Sequence, residues 1–453
     1  MIHYQAFCIL LLSILIAPYA RVSGQNSDPA GDSRIIDFDR EPVYFKVFVD
    51  SDNFGPSYLD SLEAAYPRVE TDTIKFEILN DLAYYWHTRS LKRSLDLATD
   101  GLEMARAAGN KLWEGRFQIT QGATLLRMEK LDSAQAVLQK ARKKVIDEDL
   151  PLLLTQEGYI YERRGDLDMA TEKAYEALSL GERMNDERAI AVAYSDLSNL
   201  FWKYGRFEEG LEFGLKSIDL FESRGLNDMD YDFTLYVVGN NYRELGNTEK
   251  ALNYFNHSIA MGERYGFYNN LSDAYISLID LYADEGDFEL ALDAGLKAVE
   301  LAERIDNDFL LMRSYLSLGR MYNLQGRFST AIESLKKSLD IVEVDFGDKF
   351  FLSQLYENLA RAYAGNHNYK DAMEAFSEYD RLKDELFTEQ AEKKISNVQT
   401  RFEMAKRDDT ILDQKEQLKK QKSSQTLITV IAILLFLLLL VLYITFQNNK
   451  RKN

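Results

Sequence analysis

The chain has 453 residues, with 54 basic and 73 acidic side chains, and its formal net charge is −19. This balance argues against a protein that binds nucleic acid through a basic surface. A single cysteine cannot form an internal disulfide or a cysteine-built zinc module. The last of only six prolines is Pro151, and because proline is excluded from helix interiors, the rest of the chain is expected to be helical.

An apolar run, AFCILLLSILIA, occupies residues 6–17 and is followed by Pro18 and the small residues Ala20 and Gly24. This pattern is typical of a secretory signal peptide, although His3 is the only side chain before the run that can carry positive charge. We therefore expect residues 1–24 to be a signal peptide, with an uncleaved anchor as the alternative.

Residues 25–71 are predicted to be an N-terminal extension. VYFKVFV at 43–49 could form a short strand or an extended segment, and the sequence does not decide between them. SYLDSLEAAY at 57–66 has the pattern of an amphipathic helix capped by Ser57 and ended by Pro67. We expect this helix to cover the first unit of the repeat array that follows.

Between residues 72 and 383, a pattern of small and aromatic residues recurs about every forty residues. A small residue marks each of eight units, and an aromatic residue lies nine positions before it in seven of them, with Leu125 in the second unit. The small residues are Ser94, Ala134, Ala170, Gly210, Ala251, Ala291, Ala331 and Ala372, and the aromatic residues are Tyr85, Tyr161, Phe201, Tyr242, Tyr282, Tyr322 and Tyr363.

A turn is expected between the aromatic and the small residue of each unit. Arg89 and Glu129 occupy this place in the first two units, and glycine, which readily adopts the left-handed conformation that ends a helix, marks the turn in five others: Gly165, Gly205, Gly246, Gly286 and Gly326. Each unit is therefore predicted to form two antiparallel helices, and the small residues allow these two helices to approach each other closely. Because one pair cannot bury its apolar face, the units must stack, which predicts an all-α solenoid of about eight hairpins.

Residues 384–425 lack the glycines and most of the aromatic residues of the repeats and are rich in charge. Ile395, Val398, Phe402, Ala405 and Leu412 recur with a period of about 3.5 residues, which is a weak heptad pattern. The segment is predicted to be either a charged, solvent-exposed helix or a coiled coil that pairs two copies of the chain. Either form would hold the array on the order of 60 Å from the segment that follows.

Residues 426–446, TLITVIAILLFLLLLVLYITF, contain no charged residue. At about 1.5 Å per residue, a helix of this length crosses a hydrocarbon core roughly 30 Å thick, so we predict one transmembrane helix. Lysines on both sides leave its orientation undecided. A signal peptide would send the array across the membrane and leave residues 447–453 as a basic cytoplasmic tail. The expected location is therefore the inner membrane, with a periplasmic array.

The hairpin pattern, as in LGRMYNLQGRFSTAIESLKKSLDI at 318–341, resembles the tetratricopeptide repeat. The basic unit of that family has roughly 34 residues, and the longer unit here is similar to the extended-helix variety of peptide-sensing and cargo-binding members. The resemblance covers about residues 72–383. It implies a solenoid that binds peptides or proteins.

A second resemblance rests on three features of the chain. The repeat array opens with TIKFEILNDLAYYWHTRSLKRSLDLATDGLEMARAAG at 73–109, and the predicted charged helix contains KKISNVQTRFEMAKRDD at 393–409. One predicted transmembrane span follows them. Together they resemble the sensor half of membrane-anchored tetratricopeptide regulators of Bacteroidetes-type bacteria. In that family a histidine kinase or a helix-turn-helix domain follows the span, whereas residues 447–453 follow it here. The resemblance implies an output module that is lost or on another chain, an anchored scaffold, or a fragment.

The candidate ligand contacts lie two positions before the aromatic of each unit, where side chains are expected to point into the concave groove. Asparagine can donate to and accept from a peptide backbone, and arginine can bind a carboxylate through two parallel bonds. In peptide-binding tetratricopeptide proteins, asparagines at this place hold the ligand backbone. The resemblance therefore marks Asn199 and Asn240 as contacts, with Arg320 and Arg361 as anion anchors. The alternative is that all four are solvated residues of helix faces.

No phosphate-binding glycine loop, GxSxG elbow or HExxH motif occurs in the sequence, and the four histidines are far apart. We therefore predict no enzymatic activity, no cofactor and no metal site. The predicted function is a membrane-anchored sensor that binds a peptide or protein and relays this binding to a kinase or regulator, with homodimerisation through the juxtamembrane helix. The alternative is a static envelope scaffold without a signalling role.

Overall fold

The computed structural model describes residues 56–224, 229–342 and 348–388, together with most of 395–425 and Leu435. All of these residues belong to one compact unit, residues 47–453. The expected signal peptide, the VYFKVFV segment and the basic tail lie outside the described residues, and so does the expected span apart from Leu435. Among the helices that are described, none combines the length and the apolar character that crossing a membrane requires.

The described residues form helices and turns without strands, which confirms the predicted all-α solenoid. A first helix, α1 (Pro56–Ala65), precedes eight antiparallel pairs. The pairs are α2 (Asp72–Trp86) with α3 (Leu91–Ala107), α4 (Lys111–Arg127) with α5 (Leu131–Ala141), α6 (Leu150–Arg163) with α7 (Leu167–Met184), α8 (Glu187–Lys203) with α9 (Phe207–Arg224), α10 (Met229–Glu244) with α11 (Thr248–Tyr265), α12 (Tyr268–Glu285) with α13 (Phe288–Ile305), α14 (Asp308–Leu324) with α15 (Phe328–Ile341), and α16 (Lys349–Gly365) with α17 (Tyr369–Leu386).

The turns within the hairpins show why the glycine column exists. The five glycines predicted to end the first helices have φ between 72° and 85°, a left-handed conformation that costs glycine little. Glu129 takes the same conformation in the second unit, with φ of 57°, and His367 does so in the eighth. His367 was not recognised as a member of this column because it is not glycine, yet histidine is among the side chains that tolerate the left-handed region best.

Close approach of the paired helices accounts for the small residues. Ser94, Ala134 and Ala251 are fully buried at the contact between the two helices of their units. Glycines at further positions bring helices equally close, since a Cβ atom on Gly239 would lie 2.5 Å from the ring of Phe255. Apolar clusters then span adjacent pairs, across the first and second, the second and third, and the third and fourth units, as expected for units that cannot bury their apolar faces alone.

The array curls so far that early and late units touch. Arg89, in the turn after α2, donates a hydrogen bond to the main-chain carbonyl oxygen of Tyr265, 176 positions later. Arg163 and Lys203 both reach the carboxylate of Asp348, with N–O distances of 3.5 and 3.3 Å. These contacts enclose the concave side of the solenoid and turn it into an interior.

Residues 395–404, after α17, follow neither of the two arrangements expected for this segment, whereas the described residues from 406 to 425 are helical and exposed, as one of the two predicts. Residues 395–404 form a helix whose Ile395 and Val398 are only 2% and 8% exposed, because they pack into the core formed by α7 and α8. Phe402 packs against the same core. The apolar stripe that suggested a coiled coil is therefore occupied by the array itself, and this stretch is not a free, solvent-exposed spacer.

Candidate ligand-binding interior

The first helices of the hairpins line two adjoining cavities in the interior, with volumes of about 110 and 320 Å³. The smaller one, called here the inner cavity, is bounded by residues of α4, α6, α8, α10, α12, α14 and α16 or their caps. The larger one, the outer cavity, lies between α8 and α16 and is also lined by Phe387. Four residues belong to both walls, namely Trp202, Lys203, Arg313 and Phe351.

The two predicted asparagines lie in these cavities. Asn199 lines the inner cavity, where its side-chain amide donates to Glu162 Oε1 at 3.0 Å. Asn240 lines the outer cavity and is 3% exposed. Its side chain makes no hydrogen bond with any residue that the structure describes, so its donor and acceptor are both available to a ligand.

The two predicted arginines are placed differently. Arg320 donates to Asp280 at 3.2 Å and also contacts Asp284, so carboxylates of the neighbouring unit balance its charge. Arg361 reaches Glu357, one turn earlier on its own helix, at 3.4 Å, and its side chain is 52% exposed. Neither arginine contributes to the wall of either cavity.

Four cations line the inner cavity, and three of them form a column that the sequence analysis missed. Arg127, Arg163 and Lys203 each lie two positions after the packing residue of the second, third and fourth units. Asn199 and Asn240 were identified because they lie two positions before a packing residue. Counting two positions after each packing residue identifies these three cations. Glu244 and Asp284 occupy this place in the next two units, so the basic column is confined to the early part of the array.

Two members of the basic column are paired with carboxylates. Lys203 lies 2.9 Å from Glu162 and 3.3 Å from Asp348. Arg163 lies 3.5 Å from Asp348 and 3.7 Å from Glu129, and its guanidinium stacks on the ring of Phe309. Asp348 also accepts hydrogen bonds from two backbone amides at the start of α16. These pairs join the third and fourth units to the eighth.

Another buried ion pair crosses the interior between Arg313 and Asp273. Arg313 also donates to the hydroxyl of Tyr236 at 3.4 Å. Burial raises the pKa of Asp273, although the adjacent guanidinium acts in the opposite direction. Because both partners are almost fully buried, this pair contributes to the shape of the cavities more than to the charge they present.

Two further titratable residues lie beside the basic column. Burial raises the pKa of Glu129 to about 7, against the opposing effect of Arg163, and neither carboxylate oxygen has a hydrogen-bond partner in the described part of the chain. Burial, followed by the charge of Arg127, lowers the pKa of His87 well below its ordinary value. The imidazole of His87 is therefore neutral at pH 7, and both of its ring nitrogens lack a partner among the described residues.

The interior offers the amide of Asn240, which bonds to no described residue, together with aromatic faces and charges of both signs. Amides can pair with the N–H and C=O groups of a peptide backbone, and aromatic faces such as Trp202 and Phe351 can cover apolar side chains. The arrangement is suited to holding an extended segment of polypeptide.

Comparison with known proteins agrees with the repeat pattern. A model of the tetratricopeptide repeat matches residues 190–264, 270–343 and 311–379, so this part of the chain carries tetratricopeptide repeats. A TPR repeat-containing protein of Methanocaldococcus jannaschii is 30% identical over 132 residues, which are 29% of this chain and 21% of the relative. The chain thus spans about a fifth of the length of that curated relative.

Solved structures with a similar arrangement of helices include a Rap protein complexed with competence and sporulation factor, with a TM-score of 0.48 and 15% identity over 73% of this chain and 92% of that chain. A STAND signal-transduction ATPase with a tetratricopeptide repeat sensor, from Pyrococcus horikoshii, has a TM-score of 0.44 and 15% identity, over 75% of this chain and 52% of that chain. A tetratricopeptide repeat protein from Parabacteroides merdae has a TM-score of 0.37 and 18% identity, over 63% of this chain and 98% of that chain. With TM-scores below 0.5, these likenesses support no conclusion about function.

Proposed function

We propose that this tetratricopeptide-repeat array is the ligand-binding part of a single-span membrane sensor. Tetratricopeptide repeats are protein-interaction units whose curvature creates extended concave binding surfaces. In the proposed arrangement, the array lies outside the cytoplasm and binds a peptide or a segment of a protein. Binding is then relayed to a kinase or regulator in the same membrane, without chemistry performed by this chain.

The observation that carries the binding proposal is the pair of adjoining cavities in the interior. A volume of about 320 Å³ for the outer cavity lies within the range of small-molecule and cofactor sites. Asn240 supplies to its wall an amide that makes no hydrogen bond with any described residue. A ligand backbone that enters the cavity can pair with both the donor and the acceptor of this amide.

The support for a relay is the position of α8. One side of this helix carries Asn199, Trp202 and Lys203 into the cavities. Its other side carries Leu197 and Phe201 into the core that also contains Ile395 and Val398. A ligand that shifts α8 therefore changes the surface on which the helix 395–404 is docked.

The support for membrane anchoring is the sequence of residues 426–446, which follows the docked helix along the chain and contains no charge. If that segment spans the membrane, release or rotation of residues 395–404 would reach the bilayer directly. The periplasmic placement of the array rests on residues 1–24 acting as a signal peptide.

Binding is tested by selecting peptides from a displayed random library on the purified full chain in detergent micelles. We expect the Asn240→Ala variant to bind the selected peptides about tenfold more weakly than the parent, because the amide that binds the ligand is removed. Asn256→Ala, at an exposed position on α11, is the matched control and should bind as the parent does. Equal binding by both variants would contradict a role for the outer cavity.

Anchoring and relay need separate measurements. A topology reporter fused after Asn453 is expected to give a cytoplasmic signal, and an external signal would overturn the proposed orientation. Hydrogen exchange of residues 395–404, measured with and without a selected peptide, separates a sensor from a scaffold. A sensor should change the exchange rate of this helix, whereas a static scaffold should leave it unchanged.

A further inference from the structure

The last helix of the array has an apolar face that no residue in the described part of the chain covers. Tyr369, Met373 and Phe376 lie on one side of α17, at the first, fifth and eighth of its positions, and more than half of each residue is exposed. These three residues are called here the α17 stripe. Terminal units of a solenoid require a polar outer face to stay soluble, so an apolar outer face on the eighth unit is typical of a surface that binds a partner.

A second apolar stripe is exposed on the helix that continues from the docked residues. Ile411 and Leu418 lie seven and fourteen residues after Met404, a spacing that places all three on one side of a helix, and they are between 46% and 60% exposed. Ile411 and Leu418 are called here the stalk stripe. This stripe is distinct from the one at residues 395–402, which the core of α7 and α8 already holds.

The two stripes match in length. Tyr369 and Phe376 are seven residues apart, as are Ile411 and Leu418, so each pair spans about 10 Å along its helix. Gln414 lies one turn after Ile411, close to the middle of the stalk stripe, and it is exposed too. Two helices laid side by side can therefore bring the α17 stripe and the stalk stripe into contact over their whole length.

The charges around the two stripes are complementary. α17 carries six acidic and three basic residues, a net charge of −3, and Asp380 continues its exposed face one turn beyond Phe376. Residues 414–425 contain four lysines and one acidic residue, a net charge of +3, and Lys415 lies one turn beyond Ile411. Opposite charges on facing helices favour this pairing, and like charges disfavour the pairing of either helix with its own counterpart.

Within one chain the two stripes do not cover each other, since both are exposed in the same structure. Residues 395–404 are held by the core of α7 and α8, and Lys406 forms an ion pair with Glu182 on α7. The start of the stalk helix is therefore fixed to the third and fourth units, whereas the α17 stripe belongs to the eighth. A contact between the two stripes requires a second copy of the chain.

We propose that the stalk stripe of one copy packs against the α17 stripe of a second copy, so that two chains form a dimer. In a twofold arrangement the contact can be made twice, because each copy carries both surfaces. The proposal goes beyond ligand binding and relay, neither of which requires it. It also gives the juxtamembrane helix a partner other than its own counterpart.

The test is cross-linking between two differently tagged full-length copies, produced together in membranes in a Cys8→Ser background that leaves no other thiol. One copy carries Met373→Cys and the other carries Gln414→Cys, at the middle of the two stripes. A short bis-maleimide should give a product that contains both tags. Asn256→Cys, at an exposed position on α11, replaces Met373→Cys in the matched control and should give no such product.

Each cysteine variant produced by itself distinguishes the alternatives. A dimeric product from Gln414→Cys alone would show that two juxtamembrane helices pair with each other, and one from Met373→Cys alone would show that α17 pairs with α17. A product with another protein would show that a different partner covers the stripe. Any of these results without the product that contains both tags, or no product at all, would overturn the proposal.

A charge placed in the contact measures how much the α17 stripe contributes. Met373→Glu adds to the acidic surplus of α17, so the Kd of the dimer, measured by sedimentation in detergent micelles, should rise by about tenfold or more. Leu296→Glu, at a comparably exposed apolar residue on α13, is the matched control and should leave the Kd unchanged. Circular dichroism reports whether both variants keep their helices. An unchanged Kd in folded Met373→Glu would contradict the proposal.

Discussion

Phe402 packs against Tyr175, with ring centroids 4.9 Å apart and ring planes inclined by 39°. The first residue belongs to the charged segment after the array, and the second lies on α7 in the third hairpin. Two polar contacts accompany this pair, an ion pair between Lys406 and Glu182 and a hydrogen bond from Arg206 to Gln399. The chain thus returns to the middle of its own array before it continues towards residues 426–446.

Shortening Phe402 to alanine should loosen this docked helix. Full truncation of a buried phenylalanine costs about 3–5 kcal/mol, and because Phe402 is half-buried we expect about 2 kcal/mol. The measurement is hydrogen exchange of residues 395–404, which should become faster. Met404→Ala is the matched control, since Met404 lies on the same helix but is 60% exposed. Equal exchange in the two variants would show that the ring contact does not hold the helix.

The raised pKa of Glu129 predicts that the stability of the fold depends on pH. Its pKa in the folded protein, about 7, is above the ordinary value of 4.5, so the folded state holds the proton more tightly than the unfolded chain. The resulting stabilisation, relative to the ionised form, is complete below about pH 4.5 and is lost as the pH rises through 7. At most about 3 kcal/mol is involved, since each pKa unit corresponds to about 1.4 kcal/mol.

Glu129→Gln removes this dependence while preserving the shape of the side chain. We therefore expect the variant to be more stable than the parent at pH 8, with a smaller difference at pH 5. Thermal unfolding at the two pH values measures the effect. Glu249→Gln, at an exposed site on α11, should show no such difference. The prediction would be refuted if the difference in stability between the parent and Glu129→Gln were the same at both pH values.

His367→Gly should stabilise the eighth hairpin. His367 has φ of 57° and is exposed, so it gains little from packing that would offset its backbone conformation. Glycine adopts this region without the clash of a Cβ atom, and we expect a gain of about 1 kcal/mol in the free energy of unfolding. The reciprocal control is Gly246→Ala, where a Cβ would meet no atom within 4 Å, so only φ is affected. That variant should lose about 1 kcal/mol.

Arg313→Met should be strongly destabilising, because Asp273 would remain buried without its partner. Breaking a buried pair in this way costs about 3–5 kcal/mol, whereas removing an exposed arginine such as Arg361 costs at most about 1 kcal/mol. Adding Asp273→Asn to Arg313→Met should recover much of the loss. Thermal unfolding of the two single variants and the double variant forms a double-mutant cycle, and additive losses would contradict the pairing.

The hairpins were predictable because their information is local. A small residue, an aromatic residue and a turn recur at constant spacing, and each reports a contact between helices that are adjacent in the chain. His367 was not recognised as the turn residue of the eighth hairpin, because the turns were identified by glycine. The backbone requires only a residue that tolerates positive φ at this place.

The site was only partly predictable. Counting backwards from the packing aromatics found Asn199 and Asn240, and both lie in cavity walls. Arg320 and Arg361 follow the same rule and lie outside those walls, because the rule specifies a position on a helix and not its place along the superhelix. The basic column could be listed from its spacing, but the pairing of Arg163 and Lys203 with Asp348 is visible only when the eighth unit is in place.

The sequence by itself determined the class of fold, the number of hairpins, the residues that pack within them and the apolar stripe at residues 395–402. Tertiary structure alone decided how far the solenoid curls, which early turns meet which late units, and that the stripe docks on α7. The physical reason is that curvature accumulates from a small rotation per unit, set by many side-chain volumes at once. Contacts such as those of Arg163 with Asp348, 185 positions apart, depend on that sum. No single motif encodes it.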